Sequence, residues 1–349
     1  MRSNAFKIIS YLLILGLSLA IGLAGLFGLY GWSKGYSVAS AVSHLHQSDE
    51  LAQSNPALEN VSWSQVSWNG NIENKKLSES SGLASSNRYD DLLWSMNDSG
   101  NAPEIFAMTT QGKDLGSWAI SIENPVDWEA MSSFVLDGQA YLLVADVGDN
   151  FRWRPHLSFF VVKEPDPALV ADRELTVEWK VQFSYPEGVF RDCEAVAVDI
   201  RNERVLLITK RVYPPELYEL PLTAENPVTA KKLADLVHLP RATDADLQEE
   251  PGIGKYRRMA TGMDVKGSAL ALTTYQDVYL YNVQKLEKAP LLVPMPLVGQ
   301  RESIAFDKNT NSIAYVTRER KAGVGVADIF KIEWPEFVQT PLGAEPNGQ

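Results

Sequence analysis

Between Asp127 and Asn150 the chain reads DWEAMSSFVLDGQAYLLVADVGDN, five carboxylates set around two strand-like apolar runs. Acidic and amide residues recur at matching places: Glu79, Asn97 and Asp98 before this stretch, then Asp192, Glu194 and Glu302 after it. Carboxylates gathered at one partly desolvated place repel one another, so they must be protonated, paired with cations or bound to a metal ion. The chain offers oxygen donors and no His or Cys cluster, which suits a hard divalent cation, calcium or magnesium, better than zinc. Glu129, Asp146, Glu194 and Glu302 are the expected ligands. Glu79, Asn97, Asp98, Asp127, Asp149, Asn150 and Asp192 are expected to crowd the same place. In a hydrolytic reading Glu194, Lys210, Tyr275 and Arg318 carry the chemistry. The ion polarises the substrate or activates water, Lys210 and Arg318 stabilise developing negative charge, and Tyr275 donates a proton.

Nucleophile chemistry finds little support: the chain shows no GxSxG elbow between a strand and a helix, GWSKG from Gly31 lying instead at the end of the apolar run, HExxH is absent, and His156 and His238 have no recognisable partner. Cys193, the only cysteine, excludes an intramolecular disulfide and a thiolate metal cluster, and it reads as a packed core thiol.

Distant acids can meet only if the fold brings them together. From Val61 onward, short runs rich in Val, Ile, Leu, Tyr and Trp alternate with Gly, Pro, Asn and Asp clusters, so the class is all-β. A motif of one polar, one small, one aliphatic and one mostly small residue occurs five times, as SGLA from Ser81, EAMS from Glu129, EAVA from Glu194, TGMD from Thr261 and ESIA from Glu302. Each copy precedes a second and a third apolar run, and some a fourth. That repetition predicts a five-bladed β-propeller, with a sixth, degenerate blade as the alternative. The segment Val61 to Ile72 is the candidate to complete the last blade. In a propeller the first strand of each blade lines the central channel and the second runs antiparallel to it. The start of the first and the end of the second therefore share one face, which is where the acids fall. A competing reading is that they tie neighbouring blades through buried hydrogen bonds and ion pairs.

The net charge of -12 argues against a nucleic-acid partner. The uncharged run from Ile8 to Trp32 is long enough to cross a bilayer as a helix, and Arg2 and Lys7 ahead of it favour a cytoplasmic amino terminus. The expectation is a single-pass anchor over 1-32, a polar linker over 33-60, a propeller over 61-335 on the periplasmic side of the inner membrane, and a disordered tail over 336-349. A cleaved signal peptide is the alternative.

The series ESSGL (from Glu79), LWSMNDSG (from Leu93), NPVDWEAM (from Asn124), VADVGDN (from Val144), Arg154 and the Glu164-Pro165 pair resembles a family of secreted or membrane-anchored bacterial β-propeller proteins. DCEAVAVD, TGMDV and RESIAFD are similar to later segments of that family, so the resemblance spans nearly all of residues 77 to 333. It implies the fold and an extracytoplasmic setting, and it carries no reaction. One departure is Gln300-Arg301, where such proteins often place an acid and a Gly. Two functions follow as expectations. The leading one is a tethered module that binds a small molecule or an envelope protein or glycan beside a divalent cation. The alternative is a metal-dependent hydrolase of small phosphate esters or lactones.

Overall fold

A computed structural model describes residues 55–61, 63–122, 125–169, 174–225, 227–252, 254–296, 300–318 and 327–335. The apolar run 8–32, the first part of the linker and the segment 336–349 lie outside the described residues. Among the described residues no helix is long and apolar enough to cross a membrane.

The chain begins with β1 (Gln65–Asn71). Blade 1 is β2 (Ser80–Ser85), β3 (Leu92–Asn97), β4 (Glu104–Thr109) and β5 (Asp114–Ile120). Blade 2 is β6 (Trp128–Leu136), β7 (Gln139–Asp146), β8 (Leu157–Lys163) and, after the two-residue β9 (Glu174–Leu175), β10 (Val177–Ser184). Blade 3 is β11 (Asp192–Asp199), β12 (Arg204–Lys210), β13 (Glu216–Pro221) and, after β14 (Val228–Thr229), β15 (Lys231–Asp235). A short helix, α1 (Asp244–Glu249), lies in the insertion before blade 4, which is β16 (Ala260–Lys266), β17 (Ala269–Thr274), β18 (Asp277–Asn282) and β19 (Leu291–Pro294). Blade 5 is β20 (Arg301–Phe306), β21 (Ile313–Arg318) and β22 (Asp328–Glu333), and β1 is its outer strand, antiparallel to β22.

These five sheets close into a ring. The inner strands touch in cyclic order, β2 on β6, β6 on β11, β11 on β16, β16 on β20 and β20 back on β2. An apolar cluster fills each of the five junctions, for example Trp94, Met96 and Trp128 between blades 1 and 2, and Leu83, Phe106 and Ile329 between blades 5 and 1. Inner strands are packed on both faces, so β11 and β20 are buried at every residue and read as unbroken runs. The outer strand β10 meets solvent on one face, and its exposure alternates accordingly.

Outer edges are unpaired templates for aggregation unless something covers them. At three junctions the residues just ahead of one outer strand pair in parallel with the outer strand of the preceding blade: β9 on β5, β14 on β10, and Asn60 on Leu292 of β19. The amino-terminal segment thus behaves as part of blade 5. Its contacts begin ahead of Val61, since Asn55 exchanges two hydrogen bonds of 2.8 Å with the Arg241 backbone.

One irregularity recurs in all five blades. The ladder between inner and second strand skips one residue, and the skipped residues are Ser81, Glu129, Glu194, Thr261 and Glu302. A bulge leaves its extra residue outside the ladder and bends the strand locally. The polar position of the sequence motif is therefore the bulge of each inner strand.

Candidate metal centre at the channel mouth

The bulges set Glu129, Glu194 and Glu302 at the same level of three inner strands, and the loops before those strands and after the second strands complete the mouth. Asp98 follows β3 and Asp127 precedes β6. One carboxylate oxygen from each of Asp98, Asp127 and Glu129 lies within 4.8 Å of the others, a spacing that could hold a metal ion. Glu129 is buried, and its oxygen accepts a bond from the Ser81 hydroxyl at 3.2 Å. Asp127 Oδ1 is shielded from solvent and has no hydrogen-bond partner.

The other acids of the mouth are already neutralised or tied. Asp146 accepts from the backbone N–H groups of Val126 at 2.9 Å and Asp127 at 3.0 Å, and Arg154 reaches it at 2.6 Å. Asn97, at the corresponding end of β3, accepts in the same way from the N–H groups of Ser78 and Glu79, both at 3.0 Å. Both side chains fix the loop that feeds an inner strand. Asp149 accepts from the N–H groups of Trp153 and Arg154, while its own N–H donates to Asp192. The second Asp192 oxygen accepts from Arg211 at 2.5 Å, and Arg211 also holds Asn150. Glu79 accepts from Asn101 at 2.9 Å.

Across the mouth stands a different group. Lys210, buried at the end of β12, pairs with Glu194 and lies 3.4 Å from the Tyr275 hydroxyl. Arg318 pairs with Asp328 on the adjoining strand β22. Arg301 turns away from the acids and donates to the carbonyls of Pro296 at 2.7 Å and Tyr275 at 2.6 Å. Cys193 is buried, its thiol donates to the Ile208 carbonyl, and burial pushes its pKa up.

Electrostatics separates the two sides. Burial, with the charges of Asp98 and Asp192, raises Asp127 to about 8. Glu129 is raised well above its usual range by burial and then by Glu194, Asp98 and Asp127. Burial also raises Asp98, with Glu79 contributing. Glu194 rises to about 7 through burial, which Lys210 opposes. Burial alone would lower Lys210, but Glu194, Tyr275 and Glu302 overcome it and hold the ammonium charged. Burial and Glu302 raise Tyr275 well above 10. Asp98, Asp127 and Glu129 thus meet where no side-chain cation among the described residues pairs with them, so without an ion burial and mutual repulsion keep protons on the cluster.

Gly148 tests whether that cluster fits an ion. A Cβ at this position would stand 2.5 Å from Asp127 Cγ, Asp127 Oδ2 and Glu129 Oε1, so only the absence of a side chain lets both carboxylates converge. The donors are all oxygen, as a hard cation requires.

Of the four ligands expected from sequence, the structure brings Glu129 into the cluster, places Glu194 on Lys210 and commits Asp146 to Arg154 and two amides. Glu302 faces the Lys210 side, where its charge acts on Lys210 and Tyr275. Asp98 and Asp127 stand as ligand candidates in their stead. Ser81 and Gly148 join the site with no acidic side chain to mark them in the sequence: Ser81 occupies the motif position of Glu129, and Gly148 lies inside DVGDN.

No protein-family model matches this chain, and no curated protein matches it in sequence. Among solved structures, a luciferin-regenerating enzyme is similar over 78% of this chain and 95% of its own, at 9% identity and a TM-score of 0.42. A gluconolactonase from Xanthomonas campestris covers 79% of this chain and 91% of its own, at 9% identity and a TM-score of 0.41. A chain of a nidogen/laminin complex covers 68% and 70%, at 11% identity and a TM-score of 0.38. Likenesses at these levels assign no chemistry to this chain.

Proposed function

We propose that the channel mouth is the site of a divalent-cation-dependent hydrolase of small esters, with calcium as the ion and Asp98, Asp127 and Glu129 as its ligands. Bound there, a hard cation supplies Lewis acidity toward a substrate oxygen and acidifies a water. Lys210, kept cationic by Glu194, faces the negative charge that develops on the substrate, in a dry site where such charges act strongly. The Tyr275 hydroxyl donates a hydrogen bond to the same charge. The observation that carries the reading is the buried Lys210 beside the half-buried Tyr275 hydroxyl, across from the carboxylates. An ion that only braced the fold would need neither group.

A second reading is a tethered module that binds a small molecule or an envelope partner. It is favoured by the apolar run 8–32, which would hold the domain near a membrane. Turnover separates the two. Full-length chain in detergent, assayed on phosphate esters, lactones and open-chain esters, should show activity that a chelator removes, calcium restores and Glu129→Gln abolishes. Ion binding without turnover of any ester supports the binding module instead.

A further inference from the structure

Of the tryptophans among the described residues, Trp94, Trp118, Trp128 and Trp334 are buried, whereas Trp63 and Trp68 are 53% and 60% exposed. Both exposed rings belong to the segment along the outer rim of the propeller, where Asn60 bridges to Leu292 of β19 and β1 then completes blade 5. Cross-strand partners share a face, so Trp68 opposite Phe330 and Val66 opposite Ile332 project to one side of blade 5. That side is the junction with blade 4, because Val66, Phe330 and Ile332 pack in its apolar cluster. Trp68 therefore carries the apolar junction outward into solvent, and Trp63 lies in the short connection between the bridge to β19 and β1. Charge at this rim is small and not cationic: Lys331 on β22 pairs with Glu333, and exposed Glu59 adds a carboxylate ahead of Trp63.

The chain that precedes the rim decides what covers it. The uncharged run ends at Trp32, and residues 33–54 connect it to Asn55, where the described chain begins. Those residues reach at most about 75 Å even when fully extended. Asn55 is itself fastened to the Arg241 backbone, so the ring is tethered through the same rim that carries the two tryptophans. A bilayer holding the run 8–32 is always within reach of them. Tryptophan, an apolar ring with one polar N–H, is the side chain that settles among lipid headgroups at a membrane surface.

We infer that Trp63 and Trp68 dock the outer rim of the junction between blades 4 and 5 on the surface of the membrane that holds the run 8–32. The docking surface is a zwitterionic headgroup layer, since the rim offers no excess cation to attract anionic lipid. A ring resting on its rim carries its channel along the bilayer plane, so the acidic mouth opens sideways to soluble ligands. Docking of this kind needs only the anchor and holds under either reading of the mouth.

The full-length chain is reconstituted in phosphatidylcholine vesicles and labelled with a nitrobenzoxadiazole fluorophore at Gln65→Cys, beside the tryptophans, or at Glu178→Cys, on the outer strand β10 of blade 2 across the ring. Cys193 is buried and stays unlabelled. Interfacial segments sit about 5–10 Å into the headgroup boundary, so lipid bearing a nitroxide near its headgroup should quench the probe at position 65 and spare the probe at 178. Trp63→Gln with Trp68→Gln should remove that quenching, leave urea unfolding nearly unchanged and leave the chain floating with the vesicles. Added phosphatidylglycerol or high salt should not alter the quenching. Equal quenching at the two positions, or quenching at 65 that survives the double substitution, would overturn the inference. So would a chain that fails to float with vesicles, or quenching confined to anionic vesicles at low salt. Burial of the rim by a second copy, read as mutual quenching of probes at 65 without quenching by lipid, would overturn it as well. None of these readouts involves calcium or turnover, so the hydrolase reading stands or falls separately.

Discussion

Gly148 donates its backbone N–H to the Asp127 carbonyl at 3.1 Å, and the space where its side chain would stand is taken by the carboxylates of Asp127 and Glu129. The atoms in the way are ends of side chains, so a methyl group there would displace the carboxylates before it displaced the backbone.

Gly148→Ala should therefore weaken ion binding more than folding. We expect a loss of about tenfold or more in calcium affinity, the scale seen when groups that orient metal ligands are disturbed, against a stability cost of about 1–3 kcal/mol from overpacking. Calorimetric titration and urea unfolding of the same variant measure both. Unchanged calcium affinity in a folded Gly148→Ala protein would mean that the two carboxylates do not act together.

The raised carboxylates make stability depend on pH. Asp127 near 8 and Glu194 near 7 stand above the roughly 4 to 4.5 of the unfolded chain. Between those limits the folded chain holds protons that the unfolded chain has released, so the unfolding free energy of metal-free protein falls as pH rises from about 5 to about 8. The slope should be on the order of 1 kcal/mol per pH unit for each such group. A bound ion favours the ionised forms, so calcium should stabilise more at pH 8 than at pH 6. Thermal melts with chelator and with calcium at both values check the sign, and a metal-free protein that gains stability up to pH 8 would oppose the assignment.

Lys210 and Glu194 offer a separation of stability from function. Lys210→Met strands a buried carboxylate and should cost about 3–5 kcal/mol. The double substitution Lys210→Met with Glu194→Gln removes both charges and should recover most of that loss in urea unfolding. Its turnover should remain abolished, because the ammonium facing the substrate is gone. Recovery of turnover in the double variant would assign the pair to the scaffold.

Ring closure depends on the amino-terminal segment. A chain beginning at Asn55 keeps β1 on β22 and the bridge from Asn60 to Leu292 of β19, and should unfold cooperatively. One beginning at Glu73 leaves β22 as an open edge and strips Ile72 from the junction of blades 5 and 1, so it should aggregate or fail to fold. Size-exclusion chromatography and amide proton dispersion distinguish the two outcomes.

The ring was legible because a periodic feature marks each blade. The polar residue that opens SGLA, EAMS, EAVA, TGMD and ESIA is the bulge in every inner strand, and a bulge is a local feature that sequence can carry. The place of Val61 to Ile72 in blade 5 was legible too, because blade 5 lacks a fourth run of its own. Charge pairing was not. Asp146 and Glu129 are both acids at strand ends, and their different fates depend on how the loop after β7 folds back to set Arg154 against Asp146. Periodicity says nothing of that loop. Nor does it show that Arg301, where the family pattern departs, turns from the acids, since Arg301 is buried and spends its donors on backbone carbonyls.

The most direct test is calcium titration of the chelator-treated full-length chain by calorimetry, comparing Asp127→Asn and Glu129→Gln with Asp146→Asn. One ion should bind to the unsubstituted chain, and the first two variants should lose it. Asp146→Asn, which keeps an amide oxygen toward the Val126 and Asp127 N–H groups, should retain it with modest weakening. Absence of binding to the unsubstituted chain, or loss confined to Asp146→Asn, would contradict a cation held by Asp98, Asp127 and Glu129.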